Sequence, residues 1–270
     1  LIEVSGDEMH LGKPHQHHLY GWDLEYGKHQ EKAEDFKASK FLVSNAEFLE
    51  FVEDDGYHNQ EWWTEEGWSW RTYKKAEHPL FWRKENNTYN LRLMTEIIPM
   101  KWSFPAEINY LEAKAFCNWK SAKTNKKFRL PTEAEWYRLV QQTEVKDATQ
   151  WDVAPGNINL EHYTSPCPVN TFAFNNFYDV IGNVWQWTET PITGYAGFKV
   201  HPLYDDFSTP TFDGKHNLIK GGSWISTGNE ATLHARYAFR RHFYQHAGFR
   251  YVESEHEPEI RIDSYVTDEE

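Results

Sequence analysis

Signals that start and stop helices occur in the first half of this chain and then cease. Ser44-Asn45-Ala46-Glu47 and Thr132-Glu133-Ala134-Glu135 each read as a capping box, a hydroxyl at the N-cap with a glutamate that reaches back. After the first box, Phe48, Phe51 and Val52 recur at helical spacing until Gly56. After the second, which follows Pro131, a helix is expected through Val140. Between them, Asn109–Lys123 is the clearest amphipathic helix, with Leu111, Ala115, Phe116 and Trp119 on one face. A shorter helix is expected over Glu61–Trp70, ending or interrupted near Gly67. Residues 1–30, with Gly12, Pro14, Gly21 and Gly27, read as short strands broken by turns. From Trp151 onward there are turns and short strands but no long helical period, and no internal repeat appears anywhere. The pattern is that of one loop-rich α+β domain with short strands and few helices.

A loop-rich domain needs another source of cohesion, and the ring content supplies it. The chain of 270 residues carries 13 Trp, 15 Tyr and 17 Phe. Each buried ring removes a large area from water, so a core of rings can hold with little regular structure. Mean hydropathy is −0.80. No stretch approaches the roughly 20 apolar residues of a membrane span, and no charged-then-apolar leader opens the sequence. A soluble protein with no membrane partner is expected. The net charge of −13 argues against a phosphate backbone as partner, so no nucleic acid is expected, whereas a small zwitterionic substrate is compatible. Cys117 and Cys167 are the only cysteines, which implies no disulfide framework, buried inert thiols and a cytoplasmic location.

Several blocks of sequence resemble, in order, those of the formylglycine-generating-enzyme-like, or sulfatase-modifying factor, family. They are Tyr20-Gly21-Trp22-Asp23-Leu24-Glu25, Arg129-Leu130-Pro131-Thr132-Glu133-Ala134-Glu135-Trp136, Gly182-Asn183-Val184-Trp185-Gln186-Trp187-Thr188, Lys220-Gly221-Gly222-Ser223-Trp224 and Ala247-Gly248-Phe249-Arg250. The resemblance covers about residues 10–252 and implies the family's C-type-lectin-like fold. A domain over 1–252 is expected, followed by an acidic linker over 253–270. Most of the blocks read as structural. Arg129 and the Glu133/Glu135 pair would tie a helix start to the loops, while Trp185, Trp187 and Trp224 would fill the core.

Formylglycine-generating enzymes themselves use a late pair of copper-binding cysteines, and none follows Cys167 here. The stretch from His201 to Gly214, Trp62-Trp63-Thr64-Glu65-Glu66-Gly67-Trp68 and Arg236-Tyr237-Ala238-Phe239-Arg240-Arg241-His242-Phe243 instead resemble the sulfoxide-synthase branch. Within it they are closer to the 5-histidylcysteine sulfoxide synthases (OvoA) of ovothiol biosynthesis than to the EgtB type. That resemblance implies an oxidoreductase that joins L-cysteine to L-histidine with O2. Its Fe(II) would be held by histidines of an N-terminal DinB-like domain, with a methyltransferase domain C-terminal; neither domain is in this sequence, and no iron ligand is expected in it.

The resemblance also assigns residues. Tyr204 matches the branch's active-site tyrosine, a phenol able to donate a proton beside the reacting oxygen; its ordinary reading is a core tyrosine with a satisfied hydroxyl. Arg240, Arg241 and Phe239 are the candidates for substrate binding. A guanidinium can clamp a carboxylate, but adjacent residues point different ways, so at most one arginine makes the contact. Asp179, Gly182, Val184 and Gln186 match a calcium site of the wider family, with Gln186 replacing a glutamate and removing one negative charge. His242 and His246 have the i, i+4 spacing of a metal pair on a helix, but precede a strand, which favours a structural or substrate-facing role. His15-Gln16-His17-His18 reads as a solvated loop with capacity for adventitious divalent metal. Two alternatives stay open: an EgtB-like synthase with another thiol donor, and a non-catalytic lectin-like binding module.

Overall fold

The computed structural model describes residues 1–258 and 260. Four helices occur among them, all before Glu144: α1 (Asn45–Glu53), α2 (Glu65–Lys74), α3 (Tyr110–Thr124) and α4 (Glu133–Thr143). Everything helical after Trp151 is a short 3-10 turn, as the missing period implied.

The capping signals were informative to different degrees. Thr132 and Glu135 form the full reciprocal box at α4, and so do Asn109 and Glu112 at α3. At α1 only half the box exists. Ser44 accepts from the Glu47 backbone N–H, but the Glu47 carboxylate is drawn away to the Lys120 ammonium and the Tyr251 hydroxyl, 3.0 Å from each. The helix ends at Glu53, before Gly56.

The expected helix over Glu61–Trp70 is two elements. A 3-10 turn, Gln60–Trp62, is followed by α2, which Thr64 caps and which runs on to Lys74. Gly67 is not its end. It lies in the first turn, where a Cβ would meet the Trp63 ring at 3.1 Å and Thr64 Oγ1 at 3.2 Å, so the glycine serves close packing.

Helix α3 buries far more than one stripe. Tyr110, Leu111, Glu112, Ala113, Ala115, Phe116, Cys117 and Trp119 are all buried. It packs against α1 in a cluster dominated by rings. Phe116 stacks on Phe48 with centroids 5.5 Å apart, and Phe51, Trp119 and Phe249 close around them edge-on or tilted. Full burial of such a side chain contributes on the order of 1.5–3 kcal/mol. The three motif tryptophans, Trp185, Trp187 and Trp224, are buried as expected. Cys117 and Cys167 are buried and unpaired, and burial pushes both thiols up to about 12, which leaves them protonated and inert.

Two four-stranded sheets organise the loops. One runs in the order Ile2–Val4, Phe36–Ala38, Val252–Glu253, Phe128–Arg129, all antiparallel. The other runs Tyr237–Arg240, His216–Lys220, Trp185–Pro191, Ala247–Gly248, with only the last pairing parallel. The start of the expected linker is therefore part of the domain. Glu253 pairs in the first sheet and bonds Lys126, Ser254 is buried, and the His256 carbonyl accepts from Arg129. Residues 259 and 261–270 of that segment lie outside the described residues.

The Arg129 motif separates into two ion pairs. Arg129 grips Glu135 with two bonds of 2.7 Å. Glu133 faces the other way, toward Arg236 and Lys220.

Candidate functional site

The site is built outward from Asp23, a buried carboxylate in the 3-10 turn Asp23–Glu25. Its Oδ2 accepts the His201 backbone N–H at 3.0 Å, and its Oδ1 accepts the buried Ser208 hydroxyl and the Leu24 N–H. One carboxylate thus pins both ends of the segment 201–208 and presents the residues between them to solvent. Tyr204 is among these and is 47% exposed. Its ring stacks on Phe207 at 5.2 Å and lies 6.0 Å from the Trp22 ring. Trp22 in turn packs on Phe207 at 4.8 Å and donates its indole N–H to the Tyr237 hydroxyl at 3.2 Å. No hydrogen bond occupies the Tyr204 hydroxyl among the described residues, so the core-tyrosine reading does not hold.

Tyr237 begins the edge strand Tyr237–Arg240, whose side chains alternate between faces. Tyr237 and Phe239 pack against the aromatic core. Ala238 packs on the other face, against Leu24, Ile192 and Leu218 beneath Phe198 and Phe212. Arg240 shares the Ala238 face by this alternation, and Phe212 belongs to the loop that carries Tyr204. Arg240 is exposed, and its charge helps hold the Asp213 carboxyl below its ordinary value, after burial (which opposes the shift) and the His216 hydrogen bond.

The sulfatase-modifying factor enzyme 1-like domain model matches residues 2–255. The chain belongs to that family. It is 31% identical over 210 residues to a hercynine oxygenase of Mycobacterium tuberculosis, covering 70% of this chain and 45% of that protein. A hercynine oxygenase of Mycolicibacterium smegmatis is 29% identical over 239 residues, 83% of this chain and 54% of the relative. The chain thus spans about half the length of these curated relatives. Among solved structures, PvdO from Pseudomonas aeruginosa shares the fold with a TM-score of 0.64 at 16% identity, over 93% of this chain and 92% of that one.

Within this family domain the adjacent arginines do different work. Arg241 is fully engaged. Its Nε donates to Asn217 Oδ1, one terminal nitrogen to Glu66 Oε2 and the other to the Gly214 carbonyl. It ties the strand exit to α2 and the neighbouring loop, which corrects its reading as a carboxylate clamp. Phe239, turned to the core, is likewise a packing residue. The Arg240 guanidinium has no hydrogen bond or ion pair among the described residues, although the backbone of Arg240 pairs with His216 and accepts from Phe243.

The four residues matched to a calcium site are buried together, but as a cation site they are one carboxylate short. Gln186 turns its amide N–H groups onto the Asp179 and Val180 carbonyls, and its oxygen faces the Arg250 guanidinium at 3.4 Å. Arg250 also donates to the Tyr178 and Asp179 carbonyls, so a fixed positive charge already stands there. The missing glutamate charge is the physical reason, and no calcium role is assigned to Asp179, Gly182, Val184 or Gln186.

Asp179 itself pays for this arrangement: Oδ2 accepts from Asn183, while Oδ1 is buried without a partner. Burial pushes its carboxyl up to about 8, against the Asn183 hydrogen bond and the Arg250 charge. The folded state thus keeps a proton that the unfolded chain releases near 3.8, and stability declines as pH rises from there to about 8. Asp179→Asn removes that decline, and asparagine tolerates the positive φ of 46° here. Thermal melts above pH 8 are expected to show the variant at least as stable as the parent, with no effect of a chelator. A lower melting temperature in the variant, together with chelator sensitivity of the parent, would restore the calcium reading.

The histidines divide as well. His246 is not helical: it has a φ of 45°, bonds Glu107 through Nδ1 at 2.8 Å, and is raised above its usual value by that hydrogen bond. His242 is exposed beside Phe243, so the two form no metal pair. Among the described residues, the one group of three side chains placed to hold a metal is His17, Asp147 and His234, not three histidines. The three-histidine iron set of the resemblance does not fit this chain's residues, and no step is routed through iron here.

Sequence reasoning passed over Asp23 and the Glu133–Arg236 pair as functional positions. Asp23 sits inside a recognised block, yet its partners lie 178 and 185 residues away, and nothing in local spacing signals them.

Proposed function

We propose that this domain supplies the substrate-facing half of an O2-dependent sulfoxide synthase that joins L-cysteine to L-histidine. The observation that carries the reading is the exposed Tyr204 with an unoccupied hydroxyl, in a segment that Asp23 pins at both ends. The reaction balances as thiol plus imidazole C–H plus O2 giving the C–S-linked sulfoxide plus water. The S–H and C–H bonds break, one oxygen atom ends on sulfur, and the other leaves as water with both hydrogens. Oxygen activation is the chemistry Fe(II) supplies when bound, on the DinB-like domain of the longer protein; a methyltransferase domain follows in the same chain.

This domain's own residues bind and move a proton. Arg240 holds the carboxylate of an amino-acid substrate through two parallel N–H groups. Tyr204 Oη gives a proton toward the reacting oxygen, which favours release of that oxygen as water. Trp22 and Phe207 keep the phenol from turning away.

A second reading is favoured by the relatives' names, hercynine oxygenase and ergothioneine biosynthesis protein: the same chemistry with hercynine as acceptor and another thiol as donor. The full-length protein, loaded anaerobically with Fe(II), separates the two. It is given histidine or hercynine, each crossed with cysteine and a panel of cysteine-containing thiols, then O2, and products are read by mass spectrometry. A histidine–cysteine sulfoxide as main product supports the first reading, and a hercynine adduct the second. No coupled product from any pair, with iron bound, would leave a binding module.

A further inference from the structure

His17, Asp147 and His234 come from three distant parts of the chain: the turn after the strand Asp7–Leu11, the exit of α4, and the lead-in to the strand Tyr237–Arg240. One ligand atom from each lies within 4.8 Å of the others. His17 Nε2 is already 3.2 Å from Asp147 Oδ2. A tetrahedral ion with bonds of about 2 Å needs ligand atoms about 3.3 Å apart, so the His234 ring has to close in by at most about 1.5 Å.

The surroundings orient these atoms. Asp147 caps the 3-10 turn Ala148–Gln150, and its Oδ1 is taken by the backbone N–H and hydroxyl of Thr149. That leaves Oδ2 for the cluster. Burial would raise the Asp147 carboxyl, but the Thr149 bonds and the His17 contact outweigh it, and the group stays ionised at neutral pH. His17 Nδ1 accepts the Leu19 backbone N–H at 3.1 Å and lies 3.3 Å from the Leu19 carbonyl, so binding an ion through Nε2 requires the tautomer whose Nδ1 proton goes to that carbonyl in place of the N–H bond.

His234 presents its ring edge-to-face to His17, with centroids 5.3 Å apart. Its Nδ1 is buried with no hydrogen-bond partner at all. An imidazole nitrogen shut off from water and bonded to nothing is costly unless something fills it. Lys220 opposes a cation here, but its ammonium is turned to the Ala235 carbonyl and Glu133. His17 and Asp147 side chains are 12% and 21% exposed, which leaves a path for an ion and for water in a fourth position.

We infer that His17, Asp147 and His234 form a divalent transition-metal site of the zinc class, with two imidazoles, one carboxylate and an open position. The donor set suits Zn²⁺ or Co²⁺ over Mg²⁺ or Ca²⁺, which take oxygen ligands. Bound metal would cross-link three segments that otherwise meet only through side chains.

Titration of the purified protein with Zn²⁺ and with Co²⁺ tests this by calorimetry, cobalt absorption and thermal melting. Comparing the parent with His234→Ala isolates this site from any other metal the protein holds. The parent is expected to bind one equivalent more than the variant, with a cobalt spectrum of mixed nitrogen and oxygen ligation and a raised melting temperature. His234→Ala, and separately Asp147→Asn, are expected to weaken that equivalent by about tenfold or more. A double His15→Ala, His18→Ala variant is expected to keep it. Loss on the His15/His18 change alone, equal binding by parent and His234→Ala, or no binding by the folded parent would each overturn the site.

Discussion

Arg236→Ala is expected to destabilise the domain by about 3–5 kcal/mol, the usual consequence of leaving a buried charge without its partner. The guanidinium is 3% exposed and makes two bonds to Glu133, at 2.9 and 3.0 Å, and two more to the Leu24 and Thr193 carbonyls. It also lies 3.8 Å over the Tyr195 ring. Burial alone would raise the Glu133 carboxyl, yet Arg236 and then Lys220 hold it below the ordinary value. Removing the arginine therefore leaves an ionised glutamate with only Lys220 at 3.4 Å and two carbonyls without a donor, against a total stability of about 5–15 kcal/mol for a typical domain. Arg236→Lys should recover only part, because an ammonium cannot make the paired bonds or the ring stack. A Glu133→Gln, Arg236→Met double variant is expected to be less destabilised than Arg236→Ala, since it leaves no buried carboxylate and Lys220 keeps its bond to the Ala235 carbonyl. Urea unfolding of the four proteins measures this. A shift under about 1 kcal/mol for Arg236→Ala would show the pair to be ornamental.

This pair marks the boundary of what the sequence could tell. Where a signal is local, the reading was close. The Thr132 box, the buried motif tryptophans and the absence of helices after Trp151 follow from spacing, ring size and missing periodicity. The Asn109 box was equally legible, with Glu112 three residues on, though only the helix itself was read. Where two local rules compete, tertiary context decided. Glu47 satisfies the box spacing but finds a cation and a phenol 73 and 204 residues away in sequence. Gly67 satisfies the rule for a helix stop, but the Trp63 ring needs the space a Cβ would fill.

The candidate site was legible only in part, for the same reason. Tyr204, Arg240 and Arg241 stood out through the resemblance, but nothing in the sequence distinguishes the free arginine from the engaged one. The distinction is made by Glu66, Asn217 and Gly214, which engage each of the three nitrogens of Arg241 in structure. The calcium positions failed at Gln186, where replacement of one carboxylate by an amide turns a cation ligand into a hydrogen-bond donor. His17 was visible as one of a histidine-rich turn, whereas Asp147 and His234 have no sequence cue linking them to it.

On the proposed reading, Tyr204→Phe in the full-length protein is expected to lower formation of the coupled sulfoxide by about 10²-fold or more, the range for loss of a positioned proton donor. The substitution removes one oxygen from a half-exposed ring that bonds nothing, so fold and stability should be unchanged. Phe207 and Trp22 hold the phenylalanine ring as they hold the tyrosine. Thiol oxidation needs no proton delivered for C–S coupling, so the variant should divert toward oxidised cysteine, or toward the C–S-linked thioether that lacks the sulfoxide oxygen, with O2 leaving as hydrogen peroxide. Asp23→Asn is the control for position: the loop keeps a hydrogen-bonding side chain at its base but loses the charge that accepts from His201 and Ser208. It should reduce coupling less than Tyr204→Phe, with KM rising as the loop loosens, whereas the phenol variant should act on kcat. Product ratios and steady-state constants for the two variants decide between chemistry and positioning. Coupled product from Tyr204→Phe at the parent rate would remove the phenol from the reaction and leave the exposed ring as a contact surface.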